Sequence, residues 1–258
     1  LPEGFREKMN IILIEKQEVQ DARVRLTDRR AKHLVKVLQV QTGDRVRIGI
    51  IDGPMGSGTV SALCSKYPFQ VELQVHFAEE MAAKPPIDLL LALPRPIMLK
   101  RIFSQAAALG VGAIFITHAQ RVEKSFWSAT LLNEEEYRPH LLQGLEQAVD
   151  TRVPEVHVYE RFKPFVEDVL PERSKGYSHL LIAHPGSTAT LKCVMAERPE
   201  RVLLAVGPEG GWIEYEIDRF VECGFKSFSM GERILKVDTA VVALHGRLSE
   251  RRENFRGR

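Results

Sequence analysis

Residues 201–223 read RVLLAVGPEGGWIEYEIDRFVEC, and the order of residue types predicts a strand, a glycine turn and a helix. Arg201–Val206 is a short, nearly unbroken apolar run, the pattern of a strand buried on both faces of a parallel sheet. Gly207, Gly210 and Gly211 permit positive φ and leave backbone N–H groups open to close approach by a ligand. Pro208 stiffens the turn between them, and Glu209 adds one carboxylate. Glu214–Cys223 then has helical character, and Glu214, Glu216 and Asp218 complement the positive end of that helix. A phosphate at this turn would meet those carboxylates, which disfavours a nucleoside triphosphate. A ligand with a cationic centre and sugar hydroxyls suits it better. A purely structural tight turn is the competing reading.

The same alternation extends in both directions from this stretch. Ile87–Leu93 is an apolar run of strand length, interrupted only by Asp88. Helix Ile97–Leu109 follows, with Leu99, Ile102, Phe103 and Ala106 on one face and Gly110 at the expected C-cap. Further strands are expected at Ala113–Thr117, Val156–Tyr159, His179–Ala183 and Lys226–Met230. The helices between and after them are Glu134–Val149, Pro164–Leu170, Ala189–Ala196 and Asp238–Ser249. Strands alternating with helices predict right-handed crossovers and an open, mostly parallel sheet, an α/β fold.

Ahead of residue 80 the pattern differs. Asn10–Ile14, Arg45–Asp52, Thr59–Cys64 and Gln70–Phe77 are short β-type segments. The one helical stretch is Asp28–Leu38, where Ala31, Leu34, Val35 and Leu38 share a face and Asp28 can cap the start. Gly53, Gly56 and Gly58 imitate a phosphate-loop spacing, but no helix follows, so they are expected in a hairpin loop. The organisation read from these patterns is an N-terminal extension or tag remnant at 1–8 ahead of Met9 and a β-rich domain at 9–80. A linker at 81–86, an α/β domain at 87–250 and a loose basic tail at 251–258 complete it.

Composition narrows the class. With 44% hydrophobic and 27% charged residues in 258, the chain is of ordinary globular type. No apolar run approaches the roughly 20 residues of a membrane span. Cys64, Cys193 and Cys223 lie far apart, and the histidines show no ligand spacing, so neither disulfides nor a metal is expected, and a cytoplasmic location is. Between Arg23 and Arg47 stand eight Lys and Arg against two Asp. That window is either a solvated face or a phosphate-binding surface.

In an open α/β sheet, ligands bind beyond the carboxyl ends of strands. Three exits are candidates here: His184–Gly186 after strand 179–183, Gly207–Trp212, and Gly231–Asp238 after strand 226–230. In the last, Ile234 and Leu235 offer an apolar lining, while Lys236 and Asp238 bring opposite charges to the start of a helix that Asp238 or Thr239 can cap. No P-loop and no nucleophile elbow are present.

Gly207–Gly211, followed about twenty residues later by Met230–Ala240 (MGERILKVDTA), closely resembles the RsmE family of SPOUT-class methyltransferases, which methylate N3 of a uridine in 16S ribosomal RNA. His33–Leu38 with Gly43 and Asp44, and Glu146-Gln147 with Arg152 and Pro154, agree with it. Gln39, Ala108 and Lys236 depart from the usual residues, and the stretch 148–152 is two residues longer.

The resemblance implies a PUA-like barrel, a deep trefoil knot in the α/β domain, a homodimer, and S-adenosyl-L-methionine without a metal. It places the cofactor against Leu181, His184, Pro185, Gly186, Gly207, Pro208, Glu209, Gly210, Gly211, Met230, Gly231, Ile234 and Leu235. The partner is then ribosomal RNA or the small ribosomal subunit, with no membrane and no DNA. Uridine N3 must lose a proton, which Glu209 or Asp238 can accept, while Lys236, Arg233 or Arg152 holds the developing charge. Arg23, Arg25, Arg30, Lys32, His33 and Lys36 become RNA-contact candidates, acting through phosphates. A SPOUT enzyme acting on transfer RNA or another ribosomal nucleotide, and a catalytically silent assembly factor, are the alternatives.

Overall fold

The computed structural model describes residues 10–81, 83–195 and 199–253. The expected extension at 1–8, residue 82 of the linker, the end of the Ala189–Ala196 helix and residues 254–258 of the tail lie outside them. The chain forms two compact units. One comprises residues up to 83 together with Leu142–Val153, and the other Lys84–Leu141 with Pro154 onward. The sequence patterns predict a second domain unbroken from 87 to 250, whereas the fold returns Leu142–Val153 to the first unit.

In the first unit, β1 (Ile12–Ile14), β2 (Arg23–Leu26), β3 (Arg45–Ile50), β4 (Met55–Cys64) and β5 (Gln70–Glu79) form one curved mixed sheet in the order β1-β3-β4-β5-β2. Alternation sends Val24 and Leu26 inward and Arg23 and Arg25 outward, as a half-buried strand requires. Inward residues of all five strands pack with Ala31 and Leu34 of helix Arg29–Lys36. Asp28 caps that helix, its carboxylate accepting the Arg30 N–H at 2.8 Å.

Two expectations change here. Arg23–Leu26, read only as part of a basic window, is a strand. Gly56 and Gly58, expected in a hairpin loop, lie inside β4, and at Gly56 the neighbouring strand comes too close for a side chain. A Cβ on Gly56 would stand 2.0 Å from the His76 carbonyl oxygen and 2.8 Å from Phe77 Cα.

Leu142–Val153 is fastened to the β3–β4 turn at several points. Thr151 Oγ1 donates to the Gly53 carbonyl at 2.7 Å, Asp52 N–H donates to the Thr151 carbonyl at 2.8 Å, and Val153 N–H donates to the Asp52 carboxylate at 2.8 Å. Arg29 adds a two-pronged pair to Glu146, at 3.1 and 2.6 Å.

In the second unit, β6 (Ile87–Ala92), β7 (Val111–Thr117), β8 (Glu155–Tyr159), β9 (His179–Ala183), β10 (Val202–Val206) and β11 (Lys226–Phe228) form an all-parallel sheet in the order β11-β9-β10-β6-β7-β8. β6, β7 and β10 are buried at every position, which explains their largely apolar sequences, with Asp88 the charged exception in β6. The chain builds outward from β6 to β8, then returns to the other side, where β10 enters between β9 and β6.

Helices Pro96–Ala108 and Glu214–Glu222 match expectation within a residue or two, and Gly110 takes φ +73° just past the first. The expected helix Pro164–Leu170 is longer, running from Phe162 to Ser174 through a π-helical stretch Phe165–Val169. The last helix spans Val237–Glu253, so the beginning of the expected loose tail is helical.

The amino end of the sheet carries one buried ion pair. Asp88 Oδ2 accepts from Arg201 Nη2 and from the Tyr177 hydroxyl, each at 2.6 Å, and burial, with the Asp88 carboxylate beside it, pushes the tyrosine hydroxyl well above its ordinary pKa. On the last helix His245 is buried, and burial, assisted by the nearby Arg252 charge, lowers its pKa to about 4.

Gly56→Ala should destabilise the chain by roughly 1–3 kcal/mol, because the obstruction is backbone, read as a lower urea midpoint with m unchanged. His245 should make stability fall as pH drops from about 6.5 towards about 4, since the unfolded state binds the proton first. Urea midpoints measured across that window should lose this contribution in His245→Gln; an unchanged pH profile would mean that the proton enters without cost.

Candidate cofactor cleft and its loops

The three exits singled out in the sequence meet in the second unit. Their lining combines His184 and Pro185 after β9, Gly207, Pro208, Glu209 and Gly211 after β10, and Met230, Gly231, Ile234 and Leu235 after β11. Trp212, Arg233, Val237, Ala240 and Leu244 complete the walls. Three expected residues do not line the cleft. Leu181 is fully buried inside β9. Gly186 folds back beside His184, whose Nε2 is 2.7 Å from where its Cβ would be, and Gly210 faces Arg121.

Local chemistry explains how the loops hold their shape. Gly211 and Gly231 have φ of +73° and +121°, a region only glycine enters without strain. Gly207 lies against the Trp212 ring, where a Cβ would meet Nε1 at 3.1 Å. The Trp212 indole itself packs on Phe220, centroids 5.0 Å apart, and its Nε1 is buried with no hydrogen-bond partner among the described residues. Glu216, read as a helix-end charge, is 2% exposed. Its carboxylate accepts from Gln120 N–H at 2.7 Å and from Ile213 N–H at 2.9 Å, tying the start of helix Glu214–Glu222 to the β7 exit.

Two contacts that sequence patterns do not reveal pin Gly207–Gly211 itself. Glu209 Oε1 accepts the Arg95 backbone N–H at 3.2 Å, and Arg121 Nη1 donates to the Gly210 carbonyl at 2.5 Å. Arg95 follows β6 and Arg121 follows β7. The rule that selects the other exits also points to these two, but no glycine pattern marks them.

The charged candidates separate by position. Glu209 and Arg233 line the cleft. Asp238 is 7% exposed and lies within the first turn of the last helix instead of capping it; its carboxylate takes the Thr239 N–H at 2.9 Å and pairs with Arg101 at 3.5 Å. Lys236 is exposed between Leu235 and Val237, and its carbonyl accepts the Ala240 N–H at 2.8 Å, so Lys236 holds the cap position. Arg152 belongs to the first unit, its N–H on the Asp150 carboxylate at 3.0 Å. Among the described residues no group of three His, Cys, Asp or Glu gathers as metal ligands, and no helix is long and apolar enough to cross a membrane.

The basic window divides similarly. Arg23, Arg25, Lys32 and Lys36 are exposed and His33 half-buried. Arg30 is different. Its guanidinium donates to Glu18, Asp28 and the Leu13 carbonyl, and although burial opposes the charge, these partners raise its pKa. Arg30 is thus an internal strut of the first unit and leaves the set of RNA-contact candidates.

An all-parallel sheet with glycine-lined exits, an apolar cleft and one carboxylate defines a small-molecule site of the α/β class. The family model described as an RNA methyltransferase domain matches residues 82–249. The ribosomal RNA small subunit methyltransferase E of Treponema pallidum is 32% identical over 91% of this chain and 88% of its own length. Among solved structures, a ribosomal RNA small subunit methyltransferase E from Neisseria gonorrhoeae bound to S-adenosyl methionine covers 94% of this chain and 98% of its own, at 20% identity and TM-score 0.74. A Legionella pneumophila methyltransferase with bound SAM gives the same coverage and TM-score at 21% identity. The chain is an RNA methyltransferase with the PUA-like barrel and SPOUT α/β-knot fold. It belongs to the ribosomal RNA small subunit methyltransferase E family.

Arg121→Ala should speed amide hydrogen exchange at Gly210–Trp212 by roughly tenfold, the worth of one exposed charge-assisted hydrogen bond. Global stability should change by less than about 1 kcal/mol. Unaltered loop exchange would show that Arg121 does not hold the turn.

Proposed function

We propose that this chain transfers the methyl group of S-adenosyl-L-methionine to N3 of one uridine in 16S ribosomal RNA, working as a cytoplasmic homodimer. The observation that carries the reading is the cleft at the carboxyl ends of β9, β10 and β11, where Glu209 and Arg233 line the same apolar pocket. The fit to the cofactor rests on chemistry present there. Apolar side chains from Ile234, Leu235 and Leu244 suit an adenine, glycine backbone suits close approach, and the buried Trp212 Nε1–H lacks an acceptor among the described residues.

When bound, S-adenosyl-L-methionine supplies an electrophilic methyl carbon on a leaving sulfonium. This chain has to orient the uridine, keep water away and move one proton. Glu209 accepts the N3 proton, and Arg233 faces the negative charge that then spreads onto the uracil oxygens. Lys236, flanked by two lining residues, is a second cation for that role, while Asp238 is committed to Arg101 and the helix start. On the first unit Arg23, Arg25, Lys32 and Lys36, with His33, meet phosphates.

The homodimer is what the family resemblance implies; Ile97, 60% exposed on the second unit, is one apolar side chain that a second copy could cover.

The test is transfer from labelled S-adenosyl-L-methionine to small-subunit particles lacking the modification, followed by mapping of the labelled base. Label at N3 of a single uridine is expected, and Glu209→Gln should lower turnover about a hundredfold with cofactor affinity changed less than about threefold. Label on another RNA or nucleotide would overturn the target, and cofactor binding without transfer to any RNA would point to a silent assembly factor.

A further inference from the structure

At the tip of the β4–β5 hairpin, Ser65–Phe69 carries an aromatic pair, of which the Tyr67 ring is used by neither the fold nor the cleft. Tyr67 is 88% exposed, and burial of aromatic surface is the usual reason to keep such a ring. It does not hang loosely. Its ring meets Phe69 edge to face, centroids 6.1 Å apart, and Phe69 packs on the hydrophobic core of the first unit. The Tyr67 ring is therefore supported from the core side.

Cations surround this tip. Lys36 Nζ stands 5.2 Å from the centre of the Phe69 ring. Arg25 Nη2 donates to the Gln70 side chain at 2.6 Å, so both cations reach adjacent residues at the start of β5. Lys66, exposed, is next to Tyr67 in the chain. The acidic neighbour, Glu72, is 3.9 Å from Arg25 Nε. A supported aromatic ring among Lys and Arg side chains has the chemistry that holds single-stranded nucleic acid, with the ring face taking a base and the cations taking flanking phosphates. A duplex keeps its bases stacked inside and offers no face to the ring.

We propose that Tyr67 is a stacking platform for one unpaired base of the RNA substrate, with Lys36, Arg25 and Lys66 on the adjoining phosphates. This rests on the reading of the chain as an enzyme acting on RNA, and it adds that the first unit grips a single-stranded segment by a base face as well as by charge.

The experiment is equilibrium binding of the full chain to a short fluorescein-labelled single-stranded RNA and to the same RNA annealed into a duplex, over a range of salt. Tyr67→Ala should weaken single-strand binding roughly tenfold, within the range for loss of one stacked base. Tyr67→Phe should restore it, because the ring face and not the hydroxyl is used. The salt slope should stay the same in Tyr67→Ala and become shallower by about one in Lys36→Ala. Duplex binding should not respond to Tyr67→Ala.

Wild-type affinity in Tyr67→Ala, or equal loss in Tyr67→Phe, would overturn the platform, as would a wild-type chain that does not bind the single strand. Cofactor binding and the mapped methylation site are read separately, so the platform can fail while the proposed function stands. A chain that binds single-stranded RNA through Tyr67 yet methylates elsewhere would have the opposite meaning.

Discussion

β10 occupies the middle of the parallel sheet, hydrogen-bonded to β9 on one side and β6 on the other, with every one of its residues buried. A strand in that position has no freedom along its length. Its side chains must be apolar on both faces, and its backbone polar groups are satisfied only by staying in register with both neighbours. The chain first becomes free at Gly207, beyond the carboxyl end. The glycine turn, the cleft and the start of the following helix all inherit their position from that strand, and β9 and β11 deliver their own loops to the same edge by the same logic.

What keeps the turn open is a second set of constraints, from the strands on the other side. The exits of β6 and β7 supply Arg95 and Arg121, which hold Glu209 and Gly210, and the β7 exit also supplies Gln120, whose N–H binds the buried Glu216. The loop is thus fixed by polar contacts to backbone and side-chain atoms, while its cleft face presents apolar groups, glycine and the Glu209 carboxylate. A preorganised wall of this type places a reacting pair without rearrangement, which is the main contribution available to an enzyme catalysing an in-line displacement.

The first unit solves a different problem with the same economy of means. Its sheet is half-buried, so alternation puts one row of side chains outward, and that row is where Arg23 and Arg25 stand. Arg30, two residues from Asp28 and next to Arg29 in sequence, looks equivalent to them in composition. Its neighbours in space, Glu18 and Asp28, remove it from the solvent-facing set. Charge counted along a chain therefore overstates the surface available for an anion, and only the fold separates a strut from a contact.

The sequence by itself determined the alternation of strands and helices after residue 87, because burial on both faces forces unbroken apolar runs and helical periodicity cannot be mistaken for them over that length. It also determined the three loops, since glycines gathered at a strand exit leave the backbone bare for a ligand to approach, and a lone carboxylate among them adds a polar anchor. Tertiary structure alone decided that Gly56 and Gly58 lie within a strand, because the need for glycine at Gly56 comes from the backbone of β5, distant in sequence. It decided that Leu142–Val153 belongs with the first unit, through hydrogen bonds from Thr151 and Val153 to a turn some hundred residues earlier. It also decided which of Glu209 and Asp238 faces the cleft, because Arg101 and Arg95, the residues that sort them, come from or just before another helix. Local composition encodes what a segment buries, and it does not encode which distant group will meet it.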